Sequence, residues 1–307
     1  MAMHTGSFSN IVTLRGIQEV VQNKWDARPA IGRKLFNVKD SNQYREHSLT
    51  VGGFGQFDVK GQGEALNYDS LNEGFLTTFT HVTYAKGARS THEMMADELY
   101  GILDKIGVYL ANSAIATEET VLANHFNNAT DTGYTGGDGQ VLCSAAHLLE
   151  NGQTYRNTTV NSSGTRVSAD LSQSSLEQAL IDFRSQFKDG GGLRLRIVPK
   201  VLLHGTDNIF EAARLLDSKQ DPETDRNATN PISGLGLEGV CWDYLTDTDS
   251  WGLLAAKDEQ TLVLFDREAF NTDSIYDFDT KDGKVSAMMR FSSGWEDARG
   301  IYWVIGA

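Results

Sequence analysis

Cysteine, proline and long apolar runs are scarce in this sequence, and each scarcity narrows the possibilities. Only Cys143 and Cys241 occur among 307 residues, too few for a disulfide framework, so we expect two reduced thiols. No run of about 18 apolar residues is present, which argues against a transmembrane helix. The first ten residues, MAMHTGSFSN, lack a basic start followed by an apolar stretch, so we expect no secretory signal.

A basic excess is also missing. The net charge is −14, which argues against general binding to DNA or RNA, because phosphate contacts need clustered Lys and Arg. The charge is uneven: residues 1–45 carry seven basic and three acidic residues, a balance of +4, and the remainder carries −18. A basic arm on an acidic body is suited to lie across the acidic body of a neighbouring copy. A solvated surface without a role is the alternative.

Motifs for catalysis or cofactor binding are missing as well. Gly234–Gly239 fits G-x-G-x-x-G, but a dinucleotide site needs a strand before those glycines and a helix after them. Here a Pro-containing loop precedes and a strand-like segment follows. The seven histidines show no metal-like pairing, and there is no G-x-S-x-G elbow or P-loop lysine. We therefore expect no catalytic residue, no cofactor and no metal, in a protein whose chemistry is association.

Two β-rich segments lie in the first third of the chain. Residues 48–60 and 73–86 are rich in Val, Thr, Phe and Tyr, which indicates strands. A polar, Gly-containing connection joins them into a long predicted hairpin. Because an isolated ribbon is marginal in water, this hairpin either folds onto its own domain or lies as an extended arm on a neighbouring subunit.

Apolar residues at helical spacing predict helices at residues 9–24 and 91–128. Ser90 and Glu93 match a capping box at the start of the second helix. Taken as one helix, residues 91–128 would span roughly 57 Å at 1.5 Å per residue, which is unusual for a compact domain. Gly101 and Gly107 weaken this helix, so a kink or a break within it is the alternative. A further helix is expected from Ser174, ending at a run of three glycines.

The second half of the chain predicts an α/β unit followed by strands, so the fold class is α+β. Leu193–Pro199 alternates as a strand, and a strand at 201–205 and a helix at Asp207–Leu216 follow it. A polar loop occupies Asp217–Gly234. The remaining predicted strands lie at 237–245, 250–256, 261–266, 274–279, 284–292 and 300–306.

The order of these segments resembles the HK97-type major capsid proteins of tailed bacteriophages, and within them the Mu-like major head subunits. A short N-terminal arm, a long hairpin, a very long helix, an α/β unit and closing C-terminal strands follow one another in both. The stretches that carry the resemblance are Glu73–Tyr100, Tyr134–His147, Leu193–Leu216 and Arg290–Trp303. The similarity covers nearly the whole chain.

The resemblance implies an HK97-type coat fold with peripheral and axial domains. Residues 1–45 would form the N-terminal arm, 46–89 the extended hairpin loop, 90–169 the peripheral domain with its long spine helix, 170–260 the axial domain, and 261–307 the C-terminal strands of the peripheral domain. It also implies a non-enzymatic major capsid protein. Hexamers and pentamers of this chain would form the icosahedral head around a double-stranded DNA genome, without sequence-specific binding and without a membrane.

The expected partners are therefore further copies of the chain, together with a portal and a decoration protein. A separate scaffolding protein is also expected, because the chain begins almost directly with the arm. The location would be the virion, after assembly in the host bacterial cytoplasm. The residues expected at contacts between subunits are Arg28, Arg33, Lys34, Phe54, Phe57, Lys60, Glu64, Phe75 and Phe79.

Three alternatives stay open on the sequence alone. An encapsulin-like compartment shell would enclose cargo enzymes, and the absence of nuclease-protected DNA would identify it. An enzyme with an α/β domain would show a cleft with converging titratable groups. A monomeric binding module would remain small in size-exclusion chromatography.

Overall fold

Two four-stranded sheets organise the computed structural model, which describes residues 6–28, 30–97, 102–218 and 230–307. The strands in chain order are Asn37–Asp40 (β1), Arg45–Val51 (β2), Glu73–Thr80 (β3), Val82–Ser90 (β4), His147–Leu148 (β5), Thr154–Tyr155 (β6), Pro199–His204 (β7), Glu238–Cys241 (β8), Trp251–Ala255 (β9), Leu262–Tyr276 (β10), Gly283–Trp295 (β11) and Ile301–Val304 (β12). The first sheet has the order β1-β10-β11-β4 and the second β12-β9-β7-β8, while β2 pairs with β3 and β5 with β6.

Six α-helices occur among the described residues. They are Gly6–Asp26 (α1), Ile31–Leu35 (α2), His92–Ala96 (α3), Ile102–Asn127 (α4), Gln173–Gln186 (α5) and Ile209–Asp217 (α6), with a short 3-10 turn at Thr206–Asn208. None of these helices is both long and apolar enough to cross a bilayer.

The long helix α4 packs against the first sheet and against α1. Leu122, Ala123 and Phe126 on its inner face are buried in a core that also contains Leu264 and Phe291 from the sheet. Further along the helix, Leu110 and Ala111 join Ile17 and Val21 of α1 in a second cluster. The helix is therefore fixed by an apolar stripe along its length.

The second sheet is covered by α5 and α6. The parallel neighbours β7 and β8 are joined through α6, as a parallel pair requires a crossover. Every residue of β9 and β12 is buried, which explains their continuous apolar sequence. Leu176 and Phe183 of α5 and Leu215 of α6 pack onto this sheet.

Several predicted element boundaries are wrong. The predicted strands at 261–266 and 274–279 are one strand, β10, because two register shifts between Asp266 and Asn271 break its alternation without ending it. Leu193–Pro199 forms no strand before Pro199, apart from an isolated bridge between Lys188 and Arg194.

The predicted helix starts are each displaced. Ser90 ends β4, and the cap of α3 is Thr91, whose hydroxyl accepts from the Met94 amide at 3.3 Å. Helix α5 begins at Gln173, one residue before the prediction, and ends at Gln186 before the glycine run. Its capping box is formed by Ser172 and Ser175. The single helix predicted at 91–128 corresponds to α3 and α4, and residues 98–101 between them lie outside the described residues.

The last strand belongs to the other sheet. β12 pairs with β9 in the second sheet, so the C-terminal strands assigned together to 261–307 lie in two different sheets. The chain crosses from the first sheet to the second over the short turn after Trp295. Local pattern does not contain this information, because a buried strand has the same composition in either sheet.

Candidate assembly surfaces

The predicted hairpin is shorter than its sequence suggested. β2 and β3 pair in an antiparallel register from Arg45↔Thr80 to Val51↔Glu73. The first strand ends at Val51 and not near residue 60, and β4, which continues the second strand, belongs to the first sheet. Residues 52–72 contain no strand, and we call them the extended loop.

Large apolar side chains of the extended loop are left in solvent. Phe57 is 99% exposed, Val59 98% and Tyr68 89%, and Phe54 is about half exposed at 49%. Lys60 and Glu64 are exposed as well, and the Glu64 carboxylate accepts from the Gly61 amide at 2.9 Å. The loop places the predicted contact residues Phe54, Phe57, Lys60 and Glu64 on one exposed segment, and apolar exposure of this extent marks an interaction surface.

Glycines hold the base of the extended loop against the turn that follows α5. A Cβ atom on Gly191 would overlap the Phe54 carbonyl oxygen and lie 2.7 Å from that of Gly53. A Cβ atom on Gly190 would lie 2.6 Å from a carboxylate oxygen of Glu150. Only glycine permits so close an approach of two backbones. The glycine run predicted to end α5 therefore also seats the loop.

The two remaining aromatic residues predicted at contacts, Phe75 and Phe79, are partly or fully covered within the chain. Phe79 is 6% exposed and packs on Phe265, with ring centroids 5.4 Å apart, and on Val263. Phe79, expected at a contact between subunits, is therefore covered by the first sheet of its own chain. Phe75 is half-buried beside Gly137.

The basic residues predicted for the N-terminal arm are largely engaged within the chain. Arg28 donates to Glu118 at 3.3 Å, and Arg33 pairs with the same carboxylate through Nε and with Asp266 at 2.7 Å. Trp25 of α1 stacks on Phe270 at 4.1 Å. The described part of this segment thus lies on its own body, and its contact with a neighbour stays a prediction. Lys34 is exposed, and its role at a contact stays a prediction.

Glu119 lies next to Glu118 on α4 but faces different partners. Its side chain accepts from the Gly32 amide at 3.2 Å and from the Trp242 indole nitrogen at 2.7 Å. Burial raises the pKa of Glu119, against the lowering effect of these donors. The two carboxylates connect α2, α4 and the segment after β8, and they were missed from the sequence. Two adjacent glutamates within an otherwise apolar helical stripe were the available signal.

Among the described residues no group of three or more His, Cys, Asp or Glu side chains is arranged to hold a metal ion. A cavity of about 400 Å³ lies between α4 and the first sheet. It is lined mainly by apolar side chains such as Leu110, Phe270 and Met289. The chemistry that these surfaces support is apolar and electrostatic contact.

Comparison with known proteins points in one direction. A family model described as phage capsid protein matches residues 75–304, and no curated protein matches the chain. The capsid of the cyanophage P-SCSP1u superimposes with a TM-score of 0.63 at 11% identity, over 91% of this chain and 89% of that one.

Two further solved structures give the same result. The mature capsid of bacteriophage PhiM1 has a TM-score of 0.60 at 12% identity over 91% and 88% of the two chains. The capsid of a native GTA particle has a TM-score of 0.54 at 11% identity over 91% and 90%. At these identities the likeness establishes the fold.

Proposed function

We propose that the extended loop binds the adjacent subunit in hexamers and pentamers, starting from what the comparisons establish. The chain belongs to the phage capsid protein family, has the HK97-type coat fold and is a non-enzymatic major capsid protein of the head shell. Each subunit of a capsomer would then be linked to the next by a copy of the same contact. Closed symmetric assembly sums such modest contacts into a stable shell.

The exposure of Phe57 and Val59 carries this proposal. Both side chains are almost wholly in solvent in the single chain, although burying such a side chain stabilises by roughly 1.5–3 kcal/mol. Within the described part of the chain no other segment covers them. A neighbouring copy supplies the missing surface.

Electron microscopy of the purified protein tests the proposal. We expect the wild type to form closed shells, and Phe57→Ser combined with Val59→Ser to stop assembly at free capsomers or single chains. Phe57→Leu is the matched control, since it keeps an apolar side chain and should still assemble. Shells formed by the double variant at the wild-type yield would contradict the role of the loop.

The finer assignments of partners and location are part of the same proposal. Virions should contain this chain around double-stranded DNA, with a separate scaffolding protein during assembly, a portal and a decoration protein. Assembly in the host bacterial cytoplasm is consistent with the two free cysteines, Cys143 and Cys241. Mass spectrometry of purified particles and their nuclease-protected DNA content test these points, and cargo enzymes in place of DNA would favour the compartment shell.

A further inference from the structure

A group of basic residues that form no ion pair among the described residues lies beside the second sheet. Residues 184–200 contain five basic residues and one acidic residue, in a chain of net charge −14. None of the five forms an ion pair within the described part of the chain, although most other described arginines do. The five residues are Arg184, Lys188, Arg194, Arg196 and Lys200.

An empty apolar groove adjoins this cluster. It has a volume of about 200 Å³ and is lined by Leu180, Ile181 and Arg184 of α5 together with Val198 and Leu235. Ile181 is 60% exposed and Leu235 44%. Both side chains belong to a surface that nothing in the described chain covers.

An exposed aromatic side chain with acidic neighbours, opposite in charge to the basic cluster, lies at the start of α6. This helix buries Ala212 and Leu215 against the second sheet and turns Phe210, 77% exposed, to solvent. The acidic residues Asp207 and Glu211 flank Phe210, and Glu211 also forms a partly exposed ion pair with Arg214 at 3.1 Å. At this exposure the Phe210 ring adds little to the packing of its own chain.

Phe210 is not positioned to fill the groove of its own chain. Glu211 and Arg214 of α6 line a cavity together with Gln173 in the first turn of α5. That cavity reaches Glu177, and the groove begins three residues further along α5, at Leu180. Phe210 lines neither of them and is 77% exposed, so its ring does not fill the groove of its own chain.

We propose that Phe210 of one subunit enters the groove of the next subunit in the capsomer, so that Asp207 and Glu211 face Arg184 and Lys200. This contact rests on the proposed function, and it adds a second assembly surface to that of the extended loop. It joins two different surfaces of identical chains, and such a head-to-tail contact closes into a ring when its rotation fits. The opposite charges fix the register and disfavour the reversed pairing.

The apolar groove favours a protein partner over nucleic acid as the occupant. Phosphate binding needs the basic residues alone and gives no reason for an exposed Ile181 and Leu235 between them. A phenylalanine flanked by carboxylates matches both the apolar lining and the charge of the surface.

A charge-reversal experiment tests the contact. Arg184→Glu and Glu211→Lys are each expected to lower the yield of capsomers at least about tenfold, measured by size-exclusion chromatography and electron microscopy, since like charges then meet. The double variant should recover most of the wild-type yield. Arg184→Lys and Glu211→Asp are the matched controls, because they preserve charge and should assemble normally. Thermal unfolding of every variant establishes that the chain is folded.

Phe210→Ser provides a second, independent measurement and should reduce assembly without changing the unfolding temperature. Failure of the double charge reversal to restore assembly would overturn the contact. So would an Arg184→Glu variant that forms shells at full yield but retains less DNA, since the basic cluster would then face nucleic acid. If the wild type forms no capsomers at all, the proposed function fails together with this contact.

Discussion

Two adjacent carboxylates on α4, Glu118 and Glu119, have different binding partners. Glu118 and Glu119 are both almost fully buried, yet Glu118 meets two guanidinium groups and Glu119 meets an amide and an indole N–H. Glu118 therefore links Arg28 and Arg33 through one shared carboxylate. Burial raises the pKa of Glu119.

Replacing Glu118 by Gln tests the importance of the shared carboxylate. We expect the free energy of unfolding to fall by about 2–3 kcal/mol, somewhat less than for a fully buried pair because Arg33 keeps Asp266. Urea denaturation measures the change. Glu296→Gln, which removes the exposed pair with Lys39, is the control and should cost less than about 1 kcal/mol. Equal losses in the two variants would contradict this account.

Asp247 predicts a pH dependence of stability. Burial, together with the neighbouring Asp249, raises the pKa of Asp247 from 3.8 to about 6. The folded state thus favours the protonated acid, so this contribution is complete below pH 3.8 and is lost as the pH rises through about 6.

Asp247→Asn mimics the protonated side chain at every pH. The unfolding temperature of the variant, relative to the wild type, should therefore increase between about pH 4 and pH 6 and then level off. Scanning calorimetry over this range measures the difference. A difference that does not vary with pH would show that Asp247 ionises with an ordinary pKa in the folded chain.

At the level of elements, sequence periodicity located most helices and strands but not their partners. The single β-rich run at 73–86 predicts one strand, yet His81 divides it between β3 and β4, which belong to different sheets. Conversely, the register shifts in β10 made one strand resemble two. Both errors have the same physical cause, because pairing is decided by residues far away in the chain.

The contact between the base of the extended loop and the turn after α5 gives a testable prediction. Gly191→Ala would place a methyl group on the carbonyl oxygens of Phe54 and Gly53, so the base of the loop must move away from the turn after α5. We expect faster proteolysis of residues 52–72 and faster hydrogen exchange there, with assembly reduced. Gly55→Ala is the matched control, since nothing lies within 4 Å of its added methyl group. Identical cleavage rates would show that the contact does not restrain the loop.

Across the whole molecule, one core joins the two sheets. Leu203 and Leu254 of the second sheet and Leu264 and Phe291 of the first belong to the same buried cluster. The sequence predicted the segments that build this core, because burial leaves an apolar pattern. It also predicted the exposed Phe54 and Phe57. It did not predict that Phe79, Arg28 and Arg33 find partners within the chain, since those contacts join residues far apart in sequence.

The core of this chain does not include the extended loop, so removing the loop should prevent assembly without unfolding the chain. Residues 55–71 are almost entirely exposed, so replacing them with a short Gly-Ser linker removes little buried surface. We expect the unfolding temperature to change by only about 2 °C, as for surface changes of about 0.5 kcal/mol, while electron microscopy finds no closed shells. A large fall in unfolding temperature would instead show that the loop contributes to the stability of the fold. Shells formed at normal yield would show that other surfaces join the subunits.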